Sequence, residues 1–238
     1  MQEVGNQSKY VVITGVAQGI GKVLAENFKE NGYVVLGIDK QDNPYFKGDL
    51  TKRQALDSFI EWIEGQTNRV DCIINNAGYS NGGLDTCDYE AFNEVLMVGL
   101  SAPFYLVQRL RPKFSHRTSI INIASTRAFQ SQGNYESYSA IKGGIIAMTH
   151  AMAVTLSGEA RVNAISPGWI DNSRTNYRDE NATQHPAGRV GKPEDILELA
   201  LFLASEKSSF ITGENIIVDG GMSHLMVYHG DEGWRLKK

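Results

Sequence analysis

Two tyrosines and one lysine fall within eight positions of the stretch YESYSAIKGG, residues 135 to 144. A phenol titrates near pH 10 and is a poor base at neutrality, but an ammonium within reach stabilises the phenolate and draws that pKa toward working pH. Tyr138 and Lys142 are four apart, so on a helix they share a face, one turn from each other. Tyr135 lies seven before Lys142, about two turns away. Spacing alone leaves both phenols open, together with an ordinary amphipathic helix start whose aromatic side chains pack against a sheet.

A second constellation stands near the N-terminus. The apolar run YVVIT (10 to 14) is followed by GVAQGIG, with Gly15, Gly19 and Gly21 leading into a helical pattern. Glycines let such a turn tighten and its backbone approach a pyrophosphate, whose charge meets the amides at the helix N-terminus. The next apolar run ends in GIDK, placing Asp39 eighteen residues beyond Gly21, where an acidic side chain can take the hydroxyls of an adenosine ribose. A carboxylate there repels a 2'-phosphate, which favours NAD. Lys40, the next residue, leaves NADP as the less favoured alternative.

These groups need a scaffold that brings them together. Apolar runs recur at 10–14, 33–39, 70–76, 119–125, 160–166 and 215–221, near-continuous and β-branched, as strands buried on both faces require. Helical patterns fill the intervals at 20–31, 52–65, 89–111, 137–156 and 193–204. The alternation predicts a single α/β domain over 1–238, a Rossmann-type doubly wound parallel sheet with helices on both faces. Pro193 opens the last helix, and Pro103 is expected to kink the 89–111 helix. The polar stretch 172–189 reads as a substrate lid, and 222–238 as a tail carrying Leu225, Tyr228 and Trp234 that docks on a neighbouring subunit.

With 27 acidic against 23 basic residues and no basic stripe, nucleic acid is not the expected partner. Cys72 and Cys87 have no paired metal-ligand spacing, which argues against a structural metal and for a reducing compartment. The first residues lack a basic region followed by an apolar stretch, and no run of membrane-spanning length follows. A cytoplasmic protein without a membrane partner is expected.

Taken in order, TGVAQGIG, NNAG (75 to 78), YSAIK (138 to 142) and NAISPG (163 to 168) resemble the motifs of the short-chain dehydrogenase/reductase family, across nearly the whole chain. The resemblance selects Tyr138 as the base with Lys142, and places Ser125, thirteen residues earlier, on the substrate oxygen. Tyr135 with Lys142 matches the wider spacing of related enoyl reductases, which usually carry a different cofactor loop. For the dinucleotide it implies contacts from Gly15, Gln18, Gly19, Ile20, Gly21 and Asp39, from Asp49 and Leu50 at the adenine, and from Asn76, Ala77 and Gly78 beside the ribose. Pro167, Gly168 and Ile170 would flank the nicotinamide, whose ribose Lys142 would also grip.

The implied activity is hydride transfer between a nicotinamide cofactor and a secondary alcohol or ketone on a small polar substrate, in a homotetramer. Two departures stand out: Gly99 occupies the position where the family often has an asparagine of the proton relay, and Asn172 the position of a common threonine. Gly99 motivates a rival, a nucleotide-binding sensor or scaffold with weak or no catalysis. Arg127, with Arg174, Arg178 and His185, could meet an acidic group on the substrate, and Asn81, Gln130 and Gln132 could line its pocket.

Overall fold

The computed structural model describes residues 8–228, 230 and 231. Seven parallel strands form one sheet: β1 Lys9–Thr14, β2 Tyr33–Asp39, β3 Phe46–Lys47, β4 Val70–Asn75, β5 Phe114–Ile123, β6 Ala160–Pro167 and β7 Asn215–Val218. Their order is β3-β2-β1-β4-β5-β6-β7. The sheet is doubly wound, as the alternation of apolar runs and helical patterns predicts. The order reverses between β1 and β4, and a crevice opens at the carboxyl ends of strands where connections leave in opposite directions.

Helices α1 Gly19–Glu30 and α7 Pro193–Ala204 cover one face, and α2 Arg53–Gln66, α4 Ala102–Leu110 and α5 Glu136–Thr155 the other; α3 Tyr89–Leu96 precedes α4, and α6 Glu180–Thr183 is a single turn after β6. Side chains alternate along each strand. Val11 and Ile13 of β1 therefore join Leu24, Phe28, Ile196 and Leu203, while Val12 joins Phe59, Ile60, Leu106 and Leu110. Each face of the sheet thus carries its own cluster of buried apolar side chains. Fully burying a side chain such as Phe28 or Phe59 is worth about 1.5–3 kcal/mol each.

Four local expectations change. The two-residue edge strand β3 was hidden by its length, since two residues show no periodicity. The last strand stops at Val218, because the Asp219 carboxylate accepts from Gly221 N (2.8 Å) and Ser223 N (2.7 Å) and turns the chain. β5 ends at Ile123, leaving Ser125 just past the sheet, where it caps a short turn over Thr126–Ala128.

The 89–111 helix is not simply kinked at Pro103. It divides into α3 Tyr89–Leu96, a π turn Met97–Ser101, and α4, with the proline directly after the π turn in an otherwise continuous helical path. Pro193 does open α7, and the Asp195 carboxylate accepts from Lys192 N at 2.7 Å to close that first turn. Among the described residues no helix is long and apolar enough to cross a membrane.

Candidate active site

The crevice is a cleft of about 1510 Å³. Its walls include all the residues expected to hold the dinucleotide: Gly15, Gln18, Gly19, Ile20, Gly21, Asp39, Asp49, Leu50, Asn76, Ala77, Gly78, Pro167, Gly168 and Ile170. Ser125, Tyr138 and Lys142 line it as well.

At one end, Gly15 and Gly19 have φ of 76° and 58°, a left-handed backbone that side chains disfavour. A Cβ at Gly21 would collide with the Gly15 carbonyl and the Asn76 amide, so helix α1 can start this close to the loop only from glycine. Asn76 Nδ2 donates to the carbonyls of Thr14 (3.0 Å) and Gly15 (3.1 Å), and Thr14 Oγ1 accepts from Asn76 N and Ala77 N. Asn76 thus clamps the loop rather than merely ending a strand, and Thr14, overlooked in the sequence, is its counterpart.

The buried Asp39 carboxylate accepts from Ala17 N (3.0 Å) and Gln41 N (2.9 Å), tying the loop to the end of β2. Lys40 places its ammonium 5.1 Å from the Tyr79 ring centroid. Asp49 accepts from the backbone and hydroxyl of Thr51, each at 2.9 Å.

At the other end, α5 carries Tyr138 and Lys142 one turn apart. The Lys142 ammonium lies 5.2 Å from the Tyr138 ring centroid and donates to the Ile123 carbonyl at 2.6 Å. Burial of the amine pulls its pKa down to about 8. Burial pushes the Tyr138 hydroxyl upward, against a hydrogen bond with Ser125 and the charge of Arg127, which both lower it. In this structure the Ser125 hydrogen bond and the Arg127 charge oppose that rise, while the Lys142 ammonium is held beside the Tyr138 ring by the Ile123 carbonyl.

Tyr135 is not on the helix. It is the residue before the first turn, and its ring sits 4.5 Å from the Arg127 guanidinium. Arg127 and Gln132 line the cleft with Gln130, whereas Asn81 does not; its amide donates to the Ala91 carbonyl at 2.9 Å. Arg174 pairs with Glu194 at 3.5 Å, and neither it nor Arg178 reaches the wall. His185 is buried, with Nδ1 3.0 Å from the Asn181 carbonyl and its ring 6.0 Å from that of Trp169. Trp169, Asn181, Gln184 and Met222 complete this end. Trp169 stood in plain view between Gly168 and Ile170.

A family model described as Enoyl-(Acyl carrier protein) reductase matches residues 15–223. The chain belongs to the short-chain dehydrogenase/reductase family. An uncharacterized oxidoreductase of Thermotoga maritima is 38% identical, covering 93% of this chain and 98% of that protein. An apo SCOR enzyme from Clostridium thermocellum is 42% identical with a TM-score of 0.90, covering 98% of this chain and all of that one. A 3-ketoacyl-(acyl-carrier-protein) reductase from Brucella melitensis, solved with NADH, is 28% identical with a TM-score of 0.83 over 91% of this chain and 99% of that chain.

As a member of this family the chain is an oxidoreductase, an enzyme acting on CH–OH or carbonyl groups with a nicotinamide cofactor. The cleft fits that cofactor, since the glycine cradle has no room for a Cβ at Gly21 and positive φ at Gly15 and Gly19. Gly99 is likewise a packing requirement. A Cβ there would stand 2.8 Å from Ile141 Cβ, so the asparagine common in short-chain dehydrogenases does not fit beside this isoleucine. Asn172 comes close to Gly19 instead, its Oδ1 3.1 Å from where a Cβ of that glycine would be.

Proposed function

We propose that the enzyme interconverts a secondary alcohol and a ketone on a small polar substrate with NAD, using Tyr138 as the proton acceptor, Ser125 as the holder of the substrate oxygen and Lys142 as their electrostatic partner. The observation that carries this is the grouping of Ser125, Tyr138 and Lys142 at one end of a cleft whose other end is the glycine cradle.

The glycine loop and the α1 N-terminus would take the pyrophosphate, Asp39 the adenosine ribose, Asp49 and Leu50 the adenine, and Asn76, Ala77, Gly78, Pro167, Gly168 and Ile170 the nicotinamide riboside. Bound there, nicotinamide supplies the site that accepts or returns a hydride. Ser125 Oγ would donate to or accept from the substrate oxygen as its charge changes. Tyr138 Oη would take the hydroxyl proton, and the Lys142 ammonium would stabilise the phenolate that precedes it. With an amine pKa drawn to about 8, Lys142 can itself exchange a proton near neutral pH.

NAD is favoured because Asp39 places a carboxylate where a 2'-phosphate would stand, and Lys40 is turned onto Tyr79. The NADH complex of the Brucella reductase agrees with that choice. Segment 172–189 would act as a lid over the substrate end. A homotetramer in a reducing cytoplasm completes the proposal, supported by exposed Phe104, Val154 and Phe210 and by free Cys72 and Cys87; light scattering of the purified protein tests the assembly. Leu225 and Tyr228 are exposed as a docking tail would need, while Trp234 lies outside the described residues.

The test is absorbance of the reduced cofactor with NAD or NADP across hydroxy acids, polyols and sugars. Tyr138→Phe is expected to lower turnover by about 10²–10⁴-fold while NAD still binds. Unchanged turnover in that variant removes Tyr138 from the role of base.

A further inference from the structure

Two cations stand beside Tyr138 without an ion pair among the described residues: Lys142, whose ammonium donates to the Ile123 carbonyl, and Arg127. Arg127 lies in the turn capped by Ser125, and its own backbone N–H donates to Ser125 Oγ at 3.2 Å. Its guanidinium is fixed from two sides: Nη2 donates to Gln132 Oε1 at 2.8 Å, and the Tyr135 ring covers one face at 4.5 Å. Among the described residues no carboxylate lies within ion-pair distance of it, whereas Arg109, Arg111, Arg174 and Arg189 each have one.

The acids that line the cleft are Asp39, Asp49 and Glu94. Asp39 and Asp49 stand at the adenosine end, and Glu94 and Asp49 both act on Tyr79, the ring under Lys40. The side chains that line the cleft from the 172–189 segment, Asn172, Asn181 and Gln184, are neutral amides. A half-buried guanidinium placed by a hydrogen bond and a ring, and left without a counter-charge, is arranged to receive one, and its remaining edge suits an anion with two oxygens to present.

Resting on the secondary-alcohol oxidoreductase proposed above, we infer that the substrate carries an anionic group, a carboxylate or a phosphate ester, bound by Arg127. Because Arg127 is two residues from Ser125 and bonded to it through the backbone, the anion sits no farther from the reacting carbon than one arginine side chain reaches. The substrate is a short hydroxy acid or hydroxy phosphate, or its oxo counterpart, and not a long neutral acyl chain. Gln132 and Tyr135 are positioning residues for the guanidinium.

The experiment uses the full chain loaded with NADH. Short hydroxy acids, the matching neutral hydroxy amides and the matching phosphate monoesters are titrated by calorimetry, and the same compounds are assayed with NAD for turnover. The wild type is expected to bind the anionic member of a pair about 10- to 100-fold more tightly than the neutral one, the range of a charge-assisted hydrogen bond. Preference for the acid identifies a carboxylate, and preference for the monoester a phosphate.

In Arg127→Gln the ratio should fall toward one, with Arg127→Lys between the two because it keeps the charge without the fork. Thermal midpoints of both variants separate this from loss of fold. Equal binding of anionic and neutral members by the wild type, binding of neither, or a ratio unchanged in Arg127→Gln overturns the inference. Anion-selective binding with no turnover of any compound overturns instead the alcohol–ketone activity.

Discussion

The two ends of the cleft are built differently. At the nucleotide end the contacts run between the ends of β1, β2 and β4, which are neighbours in the sheet: Gly15 N to the Ile38 carbonyl, Asn76 to Thr14 and Gly15, Ala17 to Asp39. Where the backbone must turn left-handed, the residue is glycine, as at Gly15 and Gly19. At the substrate end the contacts are among side chains of loops, Arg127 with Gln132 and Tyr135, Trp169 with Tyr177 and His185. There positive φ falls on Arg174, Asn176 and Asp179, where it strains the backbone.

The cofactor cradle is thus a glycine turn that has no room for a Cβ at Gly21 and is tied down by the side chains of Thr14, Asp39 and Asn76, while the substrate wall is made of contacts between side chains of separate loops. Stability and cofactor affinity should be most fragile at the first, and specificity at the second.

The sharpest way to break this contrast is Gly21→Ala. Its Cβ would fall against the Gly15 carbonyl and 2.9 Å from the Gly15 carbonyl carbon. It should remove about 3 kcal/mol, the upper part of the range for overpacking, and abolish NAD binding. Denaturant unfolding and calorimetry read both; a variant that keeps wild-type midpoint and affinity shows the cradle to be looser than described.

A smaller effect is expected at Gly99→Asn, between the two ends. Crowding on Ile141 should cost about 1–3 kcal/mol, and Ile141→Ala in the same chain should return part of it, a coupling of about 1 kcal/mol. Strict additivity of the two changes would mean that Gly99 is not held by Ile141.

The effect that shows only as a slope with pH concerns Lys142, whose amine titrates near 8 in the folded chain against 10.5 unfolded. Between those values the unfolded chain binds the extra proton, so this group's contribution to folding improves as pH rises and is constant below about 8 and above about 10.5. Wild type compared with Lys142→Met should gain up to about 1.4 kcal/mol per pH unit in that window. Parallel stability curves would show that the amine is not desolvated.

Much of this is legible in the amino-acid sequence. The β-branched runs, the glycines and Asp39 identify the parallel sheet and its nucleotide end, because those features answer to constraints a few residues long: strand burial, a left-handed turn, a helix start. The choice of Tyr138 needed the family's motif, since Tyr135 and Tyr138 differ by only three positions and neither spacing to Lys142 is excluded by helix geometry. In the structure α5 begins at Glu136 and leaves Tyr135 just outside it, while both phenols line the cleft.

Local pattern, then, determined the layers, six of the seven strands and the cradle. Only the folded chain decided that Gly99 answers to Ile141, that Asn172 lies over Gly19, that Lys142 faces the Ile123 carbonyl and that Arg127 is left without a counter-charge while Arg174 is not. Each of these depends on how close two elements distant in sequence come, and separation in space is not encoded in spacing along the chain.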